Sequence, residues 1–155
     1  RAARMSALAL EDRVNPEAAG NIRAAAAEDT VLGLMLLYEE HRRAVREGAV
    51  SLTADDFVTA FNRRVFEAIM ELENSDGGFS TAVLGEQFDP DEMGRLAKLA
   101  QARRNLSENG QSVLKAAVRT LQDEKNAVTK DDAPPEDSLE RLLEKKRQKM
   151  HKSNG

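Results

Sequence analysis

Cysteine is absent from the 155 residues, and so is tryptophan. Without cysteine there is no disulfide framework, no thiolate zinc site and no cysteine nucleophile. That absence fits a reducing cytoplasm. Aromatic residues are scarce, with one Tyr and five Phe. No run of about 18 apolar residues occurs, so no segment reads as a membrane-spanning helix. Charge of one sign is not in large excess either. The formal net charge is −4, which gives no global attraction to nucleic acid or anionic membrane. The chain opens on Arg1 with no signal-peptide pattern behind it, and a start without Met is expected of a piece of a longer protein. Catalytic signatures are missing as well. There is no G-x-x-x-x-G-K, no G-x-G-x-x-G and no serine beside an activating base. His41 and His151 have no partner at metal-ligand spacing.

What the chain does have is helical periodicity and clear helix punctuation. Residues 1–23 read as a linker or lead-in, because Asn15-Pro16 and Gly20-Asn21 interrupt any helical pattern. A first firm helix is expected from Ala24 to Tyr38. Val31, Leu32, Leu34, Met35, Leu36 and Leu37 make it apolar on nearly every side, as a central helix would be. A short helix over Glu40–Glu47 should stop at Gly48. His41 sits there among Glu39, Glu40, Arg42 and Arg43, which reads as a solvated face. Thr53, with Asp55 and Asp56 behind it and Leu52 and Phe57 at staple positions, marks the next start. From there Phe57, Phe61, Val65, Phe66, Ile69 and Leu72 recur at helical spacing to Glu73, with room for a break at Phe61-Asn62. After a turn at 74–78, Ser80 opens a short helix, preferred to a strand despite the alternation of Phe79, Thr81 and Val83. Asp89-Pro90-Asp91-Glu92 combines an aspartate cap, Pro at N1 and Glu at N3. Its D-x-D spacing is explained by capping rather than by metal binding. A last bundle helix is expected from Ser107 to Ala127, with Leu114, Ala117, Val118 and Leu121 in one stripe.

The fold class is therefore all-α, a compact bundle of about six helices over residues 24–127. Its core should be led by Leu34, Met35, Phe61, Phe66, Ile69 and Leu96. Residues 128–137 hold Pro134-Pro135 among acidic residues and read as a hinge. Beyond it, 138–155 carries one amphipathic helix with Leu139, Leu142, Leu143 and Met150 on one face. An isolated helix of about 15 residues is marginal in water, so this stripe needs a surface. The end of the preceding helix can supply part of it as a hairpin, and a partner protein the rest. The same helix carries six cations, Lys146 and Arg147 among them, against Glu140 and Glu144. Cations complement a helix C-terminus, and no aromatics or loop glycines are interleaved to suggest a nucleic-acid platform.

The run Asp12-Arg13-Val14-Asn15-Pro16-Glu17, followed by Gly20-Asn21-Ile22-Arg23-Ala24-Ala25-Ala26-Ala27-Glu28, resembles the lead-in to the C-terminal domain of bacterial DnaG-type primases, the clostridial type above all. Leu32-Gly33-Leu34-Met35-Leu36-Leu37-Tyr38 is similar to that domain's first core helix, and Phe57 with Phe61–Leu72 to its second apolar block. Leu139-Glu140-Arg141-Leu142-Leu143-Glu144-Lys145-Lys146 looks like the helical hairpin that ends the family. The resemblance spans roughly residues 10–152. It implies a protein-interaction domain that binds the replicative DnaB-type helicase, recruits primase to the cytoplasmic replication fork and modulates the helicase. The terminal hairpin would be the main attachment, which makes Leu139, Leu142, Leu143, Lys146, Arg147 and Met150 the candidate partner-binding residues. The family's zinc-binding and nucleotidyl-transfer domains lie upstream of this domain. The fragment is accordingly expected to hold no cofactor or metal, to have no catalytic activity, and to bind neither nucleic acid nor membrane directly. The chain departs from the family in its acidic, proline-bearing 128–137, where relatives often keep one continuous helix. Two alternatives stand beside this reading. One is the N-terminal domain of the helicase itself, a related bundle that should run on toward a P-loop domain, whereas Ser153-Asn154-Gly155 looks like a natural terminus. The other is an unrelated helical regulator that binds nucleic acid through the basic helix, which salt-dependent DNA binding would reveal.

Overall fold

The computed structural model describes residues 13–131, with side chains to residue 127. The chain divides into two compact units, Arg1–Lys125 and Asn126–Gly155. The expected C-terminal helix, with Leu139, Leu142, Leu143, Lys146, Arg147 and Met150, lies outside the described residues. Those residues form six α-helices and no strand: α1 (Ile22–Leu37), α2 (Glu39–Arg46), α3 (Ala60–Glu73), α4 (Thr81–Leu84), α5 (Pro90–Arg104) and α6 (Gln111–Asp131). α6 continues four residues past the expected Ala127.

The all-round apolar sequence of α1 makes it the central element. Val31, Leu32, Leu34 and Met35 are fully buried. α1 packs most extensively against α5, then against α3 and α2. Gly33 sets the α1–α5 approach. A Cβ built on it would lie 2.6 Å from the Leu99 carbonyl oxygen, so only glycine lets the two helices come this close. The six expected core leaders are all buried, and Leu114, Val118 and Leu121 of α6 join them.

Local signals place several boundaries where they were read. Gly48 takes φ 81° after α2, the left-handed C′ conformation that favours glycine. At α5, Glu92 N–H donates to Asp89 Oδ1 at 2.8 Å and Asp89 N–H to Glu92 Oε1 at 2.9 Å, a reciprocal capping box. Ser80 accepts from Val83 N–H at the start of α4, at 3.5 Å, and the segment is helical rather than extended.

Four expectations need correction, three of them because a distant partner overrides the local pattern. First, the lead-in is built into the bundle from residue 13 onward. A 3₁₀ turn covers Pro16–Gly20. Buried Asn15 donates to Thr59 Oγ1 at 3.2 Å, and Glu17 Oε1 accepts from Ala60 N–H at 2.8 Å at the start of α3. Second, the break after Thr53 falls at Phe57–Thr59, not at Phe61-Asn62. Thr53 opens only a 3₁₀ turn, Ala54–Asp56, closed by a 2.9 Å bond from its own N–H to the Asp56 carboxylate. The extended residues behind it are held by Glu28, fully buried on α1. Its carboxylate accepts from Val58 N–H at 2.7 Å, Thr59 Oγ1–H at 2.6 Å and Asn62 Nδ2–H at 3.0 Å. Burial pushes the Glu28 carboxyl above its ordinary value of 4.5, against the pull of those hydrogen bonds. Third, α6 begins at Gln111 rather than Ser107. Asn109 shapes the preceding loop by donating to the carbonyls of Arg103 and Leu106 at 2.9 and 2.8 Å. Fourth, His41 is buried. Its Nε2 lies 2.6 Å from the Asn109 carbonyl, to which it donates, and its ring meets Tyr38 edge-on at 5.6 Å.

A buried ion pair closes the α1–α2–α3 corner. Arg42 reaches Glu73 Oε2 at 3.2 Å and donates to the Met35 carbonyl at 2.7 Å, in the last turn of α1. Its guanidinium also stacks 4.1 Å above the Phe79 ring. A carbonyl left open at a helix end is thus satisfied by a charge that is itself paired.

Candidate functional site

Chemistry-bearing side chains do not converge in the bundle. No group of three or more His, Asp or Glu among the described residues is placed to hold a metal ion. His41, Glu28, Arg42 and Glu73 are each engaged by hydrogen bonds that serve the fold. Among the described residues, no helix is long and apolar enough to cross a membrane. What the surface offers instead is relief.

An apolar groove runs between the end of α1, the short α4 and one flank of α5, with a volume of about 250 Å³. Leu84 and Leu96 form its buried floor, and Leu36, Leu37, Met93 and Ala100 are its half-buried walls. Thr81, Gln101 and Arg104 supply a polar rim. Val83 stands exposed on α4, the same short helix. Two features of the sequence produce the groove. α4 is a single turn, held in place by the Ser80 cap and the buried Leu84, so it covers α1 only partly. α5 presents Met93, Leu96 and Ala100 at helical spacing but with small residues, Ala97 and Ala100, toward the opening. The volume falls below the roughly 300–1,000 Å³ of small-molecule sites. It suits one or two inserted apolar side chains.

The sequence places these residues in helices correctly, but nothing in it marks them as a groove. Leu36, Leu37 and Met93 look like core positions in any helical pattern. They become surface only because α4 is too short to bury them. The candidates read from the sequence, the leucine stripe and Lys146 and Arg147, lie outside the described residues, so the structure adds nothing on whether they come together.

The described residues thus form a helical bundle with a shallow apolar groove on its surface. Compared with known families, residues 21–128 match the DnaB-like helicase N-terminal domain, well over half of the chain. The chain belongs to that family. No curated protein and no solved structure matches it. The resemblance to the primase C-terminal domain thus meets a match to a DnaB-type helicase-related helical domain, the related bundle named above as an alternative.

Proposed function

We propose that this chain is a non-catalytic docking domain of the bacterial replication machinery, acting where a DnaB-type helicase meets its primase. The family match over residues 21–128 carries the reading. It favours the helicase's own N-terminal domain, which would receive primase. A second reading, the C-terminal domain of a primase that grips the helicase, is favoured by a separate observation. The Asn15-Pro16-Glu17 run on which that resemblance rests lies before the matched residues, yet it is locked to α3 through Thr59 and Ala60. In both readings the bundle recruits and orients a partner and does no chemistry, and its cellular place is the cytoplasmic replication fork.

Two pull-downs separate the readings. The purified chain is mixed in one with the cognate helicase hexamer and in the other with the cognate primase. Retention of primase alone supports the helicase-side domain, and retention of helicase alone supports the primase-side domain. Retention of neither overturns the docking reading. Primer synthesis by the isolated chain, with template, nucleotides and magnesium, would overturn its non-catalytic character. The leucine stripe is the proposed grip of the second reading. Leu143→Asp should then weaken helicase binding by at least about tenfold, since burying one leucine is worth roughly 1.5–3 kcal/mol. Lys145→Ala with Lys149→Ala should change it much less, because exposed charges contribute about 0–1 kcal/mol. The reverse pattern would make the basic helix the interaction surface.

A further inference from the structure

α5 is a ridge with a different cleft on each flank. On one side lies the apolar groove. On the other, a cleft of about 320 Å³ is lined by Arg13, Arg95 and Lys98, with Asp91 the one carboxylate among its described lining residues. Residues 91, 94, 95 and 98 recur at i, i+3, i+4 and i+7, as do 93, 96, 97 and 100. The two stripes are offset by two residues, which turns them toward opposite flanks of the helix. The Arg95 side chain is only 10% exposed, and its guanidinium meets Asp29 at the long distance of 3.3 Å. It also lies 5.5 Å from the centroid of the Phe61 ring. Such a cation, held by the fold and edging an open cleft, can take a further carboxylate.

The crest between the two clefts is low. Gly94 and Ala97 occupy it, one turn apart, and Gly94 has no packing duty. A Cβ built there would meet nothing within 4 Å. Gly33 is the contrast, because there the neighbouring backbone forbids a side chain. A glycine inside a helix costs about 1 kcal/mol relative to alanine, and at Gly94 no contact in the bundle requires that cost. It does leave a saddle joining the apolar groove to the cationic cleft.

We propose that α5 is the seat of an acidic, amphipathic segment of a partner protein, which crosses the Gly94–Ala97 saddle. Its apolar side chains enter the groove beside Leu36, Met93 and Ala100. Its Glu or Asp enters the cleft between Arg13 and Arg95. The two anchors stand about 10 Å apart, the width of the intervening helix, which an i, i+7 pair on a partner helix spans. Nucleic acid fits less well, since Asp91 opposes a polyanion and the groove has nothing to read on a phosphate chain. The inference rests on the docking reading but not on which partner is bound.

The test uses no replication protein, so it can fail independently of the pull-downs. A labelled 18-residue peptide, with leucines at i, i+3 and i+4 and glutamates at i+7 and i+8 on the same helix face, is titrated with the whole chain by fluorescence anisotropy. Its counterpart with glutamine for glutamate is the comparison. The acidic peptide should bind at least about tenfold more tightly, with affinity falling as salt rises. Gly94→Leu, which fills the saddle without changing charge, and Arg13→Glu should each weaken it about tenfold, while Lys115→Glu on α6 should leave it within about twofold. Circular dichroism melts confirm that each variant is folded. The proposal is overturned by equal affinity for the two peptides, by absence of binding to the acidic one, or by unchanged binding in Gly94→Leu and Arg13→Glu. It is also overturned if a single-stranded DNA oligonucleotide competes the peptide away through Arg13.

Discussion

Gly33→Ala and Gly94→Ala make the same chemical change in two helices, and the structure requires opposite outcomes. Both replace glycine in a helix interior, which by itself favours the folded state by about 0.5–1 kcal/mol. At Gly94 nothing opposes that gain, because the new methyl enters open space. This variant should be more stable than the parent by about that amount. At Gly33 the methyl would sit 2.6 Å from the Leu99 carbonyl oxygen, 3.2 Å from the Leu99 carbonyl carbon and 2.7 Å from Arg103 Cγ. The arginine can swing aside, but the Leu99 backbone belongs to α5 and moves only with the helix. Overpacking of this kind costs about 1–3 kcal/mol, which exceeds the propensity gain and leaves a net loss of up to about 2 kcal/mol. Urea titrations followed by far-UV circular dichroism would report both changes as shifts in midpoint at constant slope. A Gly33→Ala variant as stable as the parent would refute the close approach of α1 and α5, and with it the placement of the groove between them.

Three further outcomes follow from the buried contacts. Phe66, whose ring lies 4.9 Å from that of Phe57, should cost about 3–5 kcal/mol on replacement by alanine, and a loss below about 1 kcal/mol in the same titration would mean the ring is not in the core. Arg42→Ala removes the closer of the two arginines on buried Glu73, leaving Arg46 at 3.4 Å, and removes the donor to the Met35 carbonyl. It should cost about 1–3 kcal/mol, the penalty of a buried carbonyl left without its donor, visible as a fall in thermal midpoint, whereas Arg43→Ala on the exposed side of α2 should barely move it. Glu28 gives a pH dependence of defined sign. Its carboxyl is raised in the folded state, so its stabilising contribution is fully present below the unfolded value near 4.5 and is lost as pH rises through the folded value. The stability advantage of the parent over Glu28→Gln should therefore shrink as pH rises across that window, and an advantage that grew instead would contradict the burial described.

The helices of the bundle were legible in the sequence where their ends are written locally. Asp89 with Glu92, Ser80 and Gly48 act over three or four residues, and the apolar run of α1 could only be central. What escaped notice depends on partners far along the chain. His41 looks solvated among four charged neighbours until Asn109, 68 residues away, supplies a carbonyl. Glu28 looks like a surface residue until Val58, Thr59 and Asn62 converge on it from 30 to 34 residues away. Those same bonds explain why a periodic run starting at Thr53 breaks at Phe57–Thr59. No local rule could place that break, because the hydrogen bonds that make an extended segment tolerable come from another helix. The groove was invisible for a related reason. Apolar periodicity says which residues avoid water, not whether a one-turn α4 is long enough to finish covering them.

The clamp between the lead-in and α3 also decides how the bundle responds to tension. Asn15 and Glu17 are tied to Thr59 and Ala60, residues 44 and 43 positions further along the chain. A pull applied at residue 13 is therefore not taken up by unwinding α1 from its first turn. It is passed sideways into the start of α3, near the middle of the bundle, and must shear two side-chain hydrogen bonds and the buried Asn15 together. A molecular tether attached at this end would load the interior before it frayed the edge. A domain that stands between a moving motor and its cargo would gain from such a coupling.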